Sequence, residues 1–160
     1  MEVVDTTVAI ALGANLGDRR AHLEFAVEQL RPLVTALRVS TFIDSEPVDV
    51  SEPQPPYLNG VVVGHARLSA RDLLNALMSI ERQLGRMRLT PRAPRTLDLD
   101  LILYGNAIIN EPDLEVPHPR FRQRAFVLDP LNEIAPDLID PVTGKTVAQL
   151  KESRNDGMTE

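Results

Sequence analysis

Apolar and polar positions alternate along the chain in two rhythms, one of strands and one of helices. Thr7 to Leu12 is a short continuous apolar run that reads as a buried strand, and Gly13-Ala14-Asn15-Leu16-Gly17 after it suits a tight turn. Asp18 then stands as an N-cap, and Leu23, Ala26, Val27 and Leu30 recur at helical spacing until Pro32. Leu37 to Ile43 predicts a strand, and Glu46 to Pro56, with four prolines, predicts an extended loop of the kind that forms lids and binding loops. Tyr57 to Ala66 reads as the next strand. Ser69-Ala70-Arg71-Asp72 is patterned as a capping box, ahead of Leu73, Leu77, Ile80 and Leu84 on one face of a helix that ends at Gly85. Arg86 to Thr96 has no period and carries two prolines, which predicts a mobile surface loop. Asp98 to Tyr104 reads as a strand with Asn106 to Ile109 as its hairpin partner, followed by helical turns over Leu128 to Ile134 and a frayed end over 151–160. This order predicts one α+β domain over 1–160. It is ferredoxin-like, with a mainly antiparallel sheet covered by helices in three α/β/α layers.

Composition narrows the function classes. A chain of 160 residues with 43% hydrophobic and 25% charged residues suits one folded domain rather than a disordered segment. There is no apolar stretch long enough to span a membrane, and Met1 to Thr7 lacks the basic start of a secretory signal. The absence of cysteine excludes disulfides, thiolate metal sites and cysteine nucleophiles, and is compatible with a cytoplasmic setting. A net charge of −6 disfavours long nucleic acids as partners. The bases are nevertheless concentrated: seven arginines against five acids lie between Arg86 and Arg124, so this stretch is positive within an acidic chain. That pattern fits a confined site for a small polyanion, and it also fits a solvated arginine-rich loop.

Asp98-Leu99-Asp100-Leu101-Ile102-Leu103 carries the most chemistry. Period-two geometry sends Asp98 and Asp100 to one face, their roots roughly 7 Å apart, a spacing that suits Mg²⁺ shared with water and phosphate oxygens. Alone, such a pair also fits a solvated strand edge. Arg92 and Arg95 just ahead of it favour a polyanion between cations and acids, and a nucleoside triphosphate meets that need. Surface salt bridging is the plainer alternative. Two nucleotide-binding patterns are rejected. Gly144-Lys145-Thr146 ends like a P-loop but has Ile139 where the first glycine belongs, and Gly13 to Gly17 lacks the full dinucleotide-binding spacing.

Pro94-Arg95-Thr96-Leu97-Asp98-Leu99-Asp100-Leu101-Ile102 resembles the signature of the 6-hydroxymethyl-7,8-dihydropterin pyrophosphokinase family. Further blocks agree in family order across residues 8 to about 150: Ala11 to Gly17, Tyr57-Leu58-Asn59, Ile80-Glu81 with Gly85-Arg86, and Val116-Pro117-His118 with Arg124-Ala125-Phe126. The resemblance implies transfer of diphosphate from ATP to the hydroxymethyl oxygen of a reduced pterin, with attack on the β-phosphorus and release of AMP. It further implies that Asp98 and Asp100 bind two Mg²⁺ ions and that Arg86, Arg88, Arg95, His118 and Arg124 contact ATP. Arg86, Arg95 and Asp100 then act on the reacting groups, Tyr57 and Phe126 sandwich the pterin, and Asn59 bonds its edge. Asp100 is one candidate to accept the hydroxyl proton, with metal ligation alone as the other reading; Glu81 matches the family without an assigned role.

The chain departs from the family pattern in lacking a Trp in the arginine loop, where Arg92 and Ala93 stand, and in having Pro119 and Asp113 at positions where other residues are usual. The enzyme expected is a monomer acting on ATP and 6-hydroxymethyl-7,8-dihydropterin, with neither nucleic acid nor membrane as partner. A non-catalytic ligand-binding module on the same scaffold is the first alternative, disfavoured by the intact acids and arginines. An RNA-binding domain is the second, disfavoured by net acidity and few aromatics.

Overall fold

A computed structural model describes residues 5–45, 56–86 and 97–157. The central sheet runs β2-β4-β1-β5, with β3 also paired to β4, and every pairing is antiparallel. The two middle strands, β1 (Thr6–Ala14) and β4 (Tyr57–Ala66), are buried along almost their whole length, which is why both read as unbroken apolar runs. α1 (Arg19–Leu30) and α2 (Ala70–Arg86) cover one face, packing Leu23, Leu30, Leu73 and Leu77 onto Ile10, Leu12, Val62 and Leu99. α3 (Ala125–Ile134) and α4 (Val147–Gly157) cover the other, where Leu128, Leu131, Val147 and Leu150 meet Ala9, Ala11, Val61 and Val63. The three-layer α+β architecture expected from the pattern is therefore present. The starts of α1 and α2 have their caps: Asp18 Oδ1 accepts from Ala21 N at 3.1 Å, and Ser69 Oγ from Asp72 N at 3.1 Å.

Several boundaries differ from the expectation, each for a local reason. Gly13 and Ala14 continue β1, so the turn comes later, at Gly17 with φ +67°. The strand expected over Leu37 to Ile43 is two strands, β2 (Val34–Val39) and β3 (Ile43–Ser45). Between them Ser40 exchanges bonds with the β4 backbone at Val61, and Glu133 of α3 takes both the N–H and the hydroxyl of Thr41. Asn106 to Ile109 does not pair with the strand before it. β5 (Asp98–Tyr104) has its outer edge occupied, and β6 (Ile109–Glu111) pairs instead with β7 (Leu114–Val116) in a separate hairpin. Arg71 of α2 holds that hairpin through Glu111 and Asp113, so Asp113 has a cationic partner in this chain. The stretch read as a frayed end is helical as far as Gly157, because Thr146 and Gln149 cap α4 reciprocally and Val147 and Leu150 enter the core. The loops expected over Glu46 to Pro56 and Arg86 to Thr96 lie almost wholly outside the described residues.

One glycine fixes how closely β2 crosses β4. A Cβ on Gly64 would stand 2.5 Å from Val34 Cγ1 and 2.7 Å from the Thr35 carbonyl oxygen, and backbone cannot step aside cheaply. Gly64→Ala is therefore expected to lower unfolding free energy by about 1–3 kcal/mol, read from urea denaturation midpoints. An unchanged midpoint would show that β2 is not held so tightly.

Candidate active site

The site is built where β5 begins beside β1. Antiparallel register sets Asp98 opposite Gly13 and Asp100 opposite Ala11, and on the far side of β1 sets Asn59 opposite Gly13. Because side chains alternate, Asp98 and Asp100 both face the α3 side while Leu99 and Leu101 enter the opposite core. Beyond Asp100 the register shifts: Ile10 faces Leu101 but Ala9 faces Leu103, so Ile102 is an extra residue. The Ile102 carbonyl accepts the His118 N–H at 2.9 Å, which fixes His118 beside the aspartates.

A cleft of about 210 Å³ opens over this corner. Tyr57, Asn59, Asp98, Asp100, Arg124 and Phe126 all line it, with Gly13 and Ser45 among its other walls. Tyr57 comes from the first residue of β4 and Phe126 from the first turn of α3, so two half-buried rings on separate elements reach one space. The Arg124 guanidinium lies over the Phe126 ring, 5.5 Å from its centre. Asn59 is buried, and its amide nitrogen donates to Ser45 Oγ at 2.6 Å and to the Ile43 and Tyr57 carbonyls at 3.3 Å. With the amide nitrogen so occupied, the side-chain oxygen of Asn59 is the atom left to accept a bond from a ligand.

Asp100 also lines a second hollow, of about 240 Å³, together with His118, Leu74, Leu114 and Glu115. It is thus the wall shared by the two spaces. His118 Nδ1 accepts from Arg120 N at 3.2 Å, so the ring proton sits on Nε2. Burial pushes the His118 pKa down; the Asp100 carboxylate pulls it up, and Arg124 and Arg120 push it down again, leaving it below the ordinary imidazole value.

Seven of the residues singled out in the sequence, His118 included, are gathered within these two adjoining spaces. Arg86 closes α2, and its side chain, with Arg88 and Arg95, lies outside the described residues. The chemistry of the donors suits Mg²⁺: two carboxylates on one face, leaving room for water and phosphate oxygens, and among the described residues no group of three or more acids, histidines or cysteines that would make a closed protein cage. Sequence reasoning missed one contributor and gave another no role. Ser45, which orients Asn59, sits in no motif. Glu81 of α2 accepts the Leu99 N–H at 2.7 Å, between the two aspartates, and only its place in the Ile80-Glu81 block marked it.

Similarity to known proteins extends over most of the chain. Residues 9–136 match the model of the family described as 7,8-dihydro-6-hydroxymethylpterin-pyrophosphokinase (HPPK). The chain is 44% identical over 146 residues to the 2-amino-4-hydroxy-6-hydroxymethyldihydropteridine pyrophosphokinase of Synechocystis, covering 89% of this chain and 73% of that one. It is 41% identical to the enzyme of the same name from Pseudomonas aeruginosa, covering 82% of each. The wild-type Plasmodium falciparum HPPK-DHPS crystal structure superimposes with a TM-score of 0.76 at 14% identity, over 99% of this chain. The chain spans 46% of that longer protein, so the likeness there is one of fold. By these matches the chain belongs to the 7,8-dihydro-6-hydroxymethylpterin-pyrophosphokinase family, the ATP-dependent diphosphokinases of folate biosynthesis.

Proposed function

We propose that the 210 Å³ cleft holds the reduced pterin and that ATP enters across Asp100 from the neighbouring hollow. The observation that carries this reading is the convergence of Tyr57, Asn59, Phe126, Asp98 and Asp100 on one cleft, with Asp100 common to both spaces. The flat ring lies between Tyr57 and Phe126, and the Asn59 oxygen accepts a bond from its N–H edge. Its hydroxymethyl oxygen then points toward the aspartate side. That oxygen attacks the β-phosphorus of ATP; the bond from the β-phosphorus to the α,β-bridging oxygen breaks, the hydroxyl proton is lost, and AMP leaves.

Asp98 and Asp100 are the residues that would hold Mg²⁺, which when bound offsets negative charge on the phosphates. Arg124 supplies a permanent cation at the cleft wall, and neutral His118 offers its Nε2–H to a phosphate oxygen without adding charge. An alcohol attacking phosphorus needs alignment and charge neutralisation more than a covalent intermediate, and these are what the residues provide. Arg86, Arg88 and Arg95 complete the ATP contacts in this reading, Arg86 and Arg95 acting with Asp100 on the transferring group.

The direct test mixes protein, ATP, Mg²⁺ and 6-hydroxymethyl-7,8-dihydropterin and follows AMP and the diphosphorylated pterin. Asp98→Ala and Asp100→Ala should each lower kcat at least about 100-fold while the thermal midpoint moves by only a few degrees, since neither side chain is core. Normal turnover in both would remove the metal assignment. Tyr57→Ala should weaken pterin binding about tenfold, measured by fluorescence titration, with a smaller effect on kcat; a change confined to kcat would count against stacking. In the metal-free protein, His118 should titrate by NMR below about 6.5. Its depressed pKa means that the unfolded chain binds the proton more readily, so this group's contribution to stability is present above that range and is lost as pH falls through the folded value. A midpoint above 6.5 would mean that the ring is not desolvated as described.

A further inference from the structure

The segment that carries His118 and Arg124 is secured by residues 140–154, beyond the 9–136 region matched by the family. Between those two residues lies one turn of 3-10 helix, Phe121–Gln123, whose middle residue is Arg122. Asp140 is 0% exposed, yet its carboxylate is fully engaged. Arg122 donates through Nε at 2.5 Å and Nη2 at 2.9 Å, Val142 N–H at 3.1 Å, and the Thr143 hydroxyl at 2.8 Å. The Arg122 guanidinium also lies 4.8 Å from the centre of the buried Phe121 ring. From α4, Arg154 Nε donates to the Gln123 carbonyl at 3.2 Å. The Arg122 side chain and the Gln123 backbone are therefore both tied to the C-terminal part of the chain, and Arg124 follows two residues after Arg122 with its N–H on the Phe121 carbonyl.

A two-pronged guanidinium–carboxylate contact is directional: it fixes the plane and position of the arginine, where a single point charge fixes only distance. We propose that Asp140, acting through Arg122, is a positioning residue that aims Arg124 at the reacting phosphates. The proposal rests on the reading of Arg124 as a phosphate contact, and errors of about 1 Å at such a contact cost about 100-fold in rate.

Asp140→Asn keeps size, an acceptor oxygen for the Val142 N–H and an amide that can donate to the Thr143 hydroxyl, but breaks the two-pronged match to Arg122. With ATP, Mg²⁺ and pterin saturating, its kcat should fall about tenfold or more, while pterin affinity by fluorescence titration stays within about twofold and the circular dichroism spectrum is unchanged. In an Arg124→Ala background the same change should cost less than about twofold, because the group being aimed is gone. Should Asp140→Asn not fold, Arg122→Lys keeps a cation beside Asp140 without the fork and should show the same loss of kcat and the same dependence on Arg124. A folded variant with parental kcat, or a loss of equal size with and without Arg124, overturns the positioning role. If Arg124→Ala alone leaves kcat unchanged, the phosphate-contact reading fails and the proposal goes with it.

Discussion

Holding two carboxylates on one face of a strand is the constraint around which the rest of the molecule is arranged. At roughly 7 Å, two unit charges repel by about 0.6 kcal/mol in water and about 2.4 kcal/mol in a medium of effective dielectric 20. The strand that bears them must therefore be secured by something other than its own preference. The β1–β5 register secures one side, with Asp98 on Gly13 and Asp100 on Ala11, and the apolar residues of the same strand, Leu99 and Leu101, anchor it in the helix-covered core. Glu81 secures the other side by taking the Leu99 N–H. In the proposed function, a divalent ion held by these acids together with a polyanion would turn their unfavourable proximity into affinity.

Much of this was legible in the sequence where a single periodicity dominated. Leu23, Ala26, Val27 and Leu30 are the buried face of α1, and Leu73, Leu77, Ile80 and Leu84 are buried along α2, because a helix packed on one side of a sheet must repeat its apolar residues near every 3.6 positions. β4 and β5 begin and end where the apolar runs do. The break between β2 and β3 was not legible, since it is made by Ser40 bonding to Val61 and Glu133 bonding to Thr41, partners far away in the chain. The same holds for the hairpin. Nothing near Ile109 reveals that β5 has already given its outer bonding groups to Glu81 and to the His118 backbone.

The candidate site shows the same division. The acids, aromatics and Asn59 could be named because they stand in motifs, and the register explains why residues 40 positions apart meet at one cleft. Residues that act on other protein groups left weaker marks. Ser45 orients Asn59 with one hydroxyl, and Asp140 reaches the site only by way of Arg122; neither belongs to a pattern of its own. Thr146 and Gln149 did form a capping pair, but the Gly144-Lys145-Thr146 sequence drew attention to a nucleotide loop rather than to the helix it starts.

The two outermost strands of the sheet carry a further consequence. An outermost strand with free amides and carbonyls invites another polypeptide to add to it, and both ends here are spoiled for such growth. On β2, Ala36 adopts φ +51° at a register shift, which buckles the row of bonding groups. On β5, Leu99 N–H and the Ile102 carbonyl are occupied by Glu81 and by the backbone at His118. The contacts that aim the aspartates and His118 are thus also what keeps this border from templating fibre-like assembly, so the chain's colloidal behaviour and its chemistry are guarded by the same few bonds.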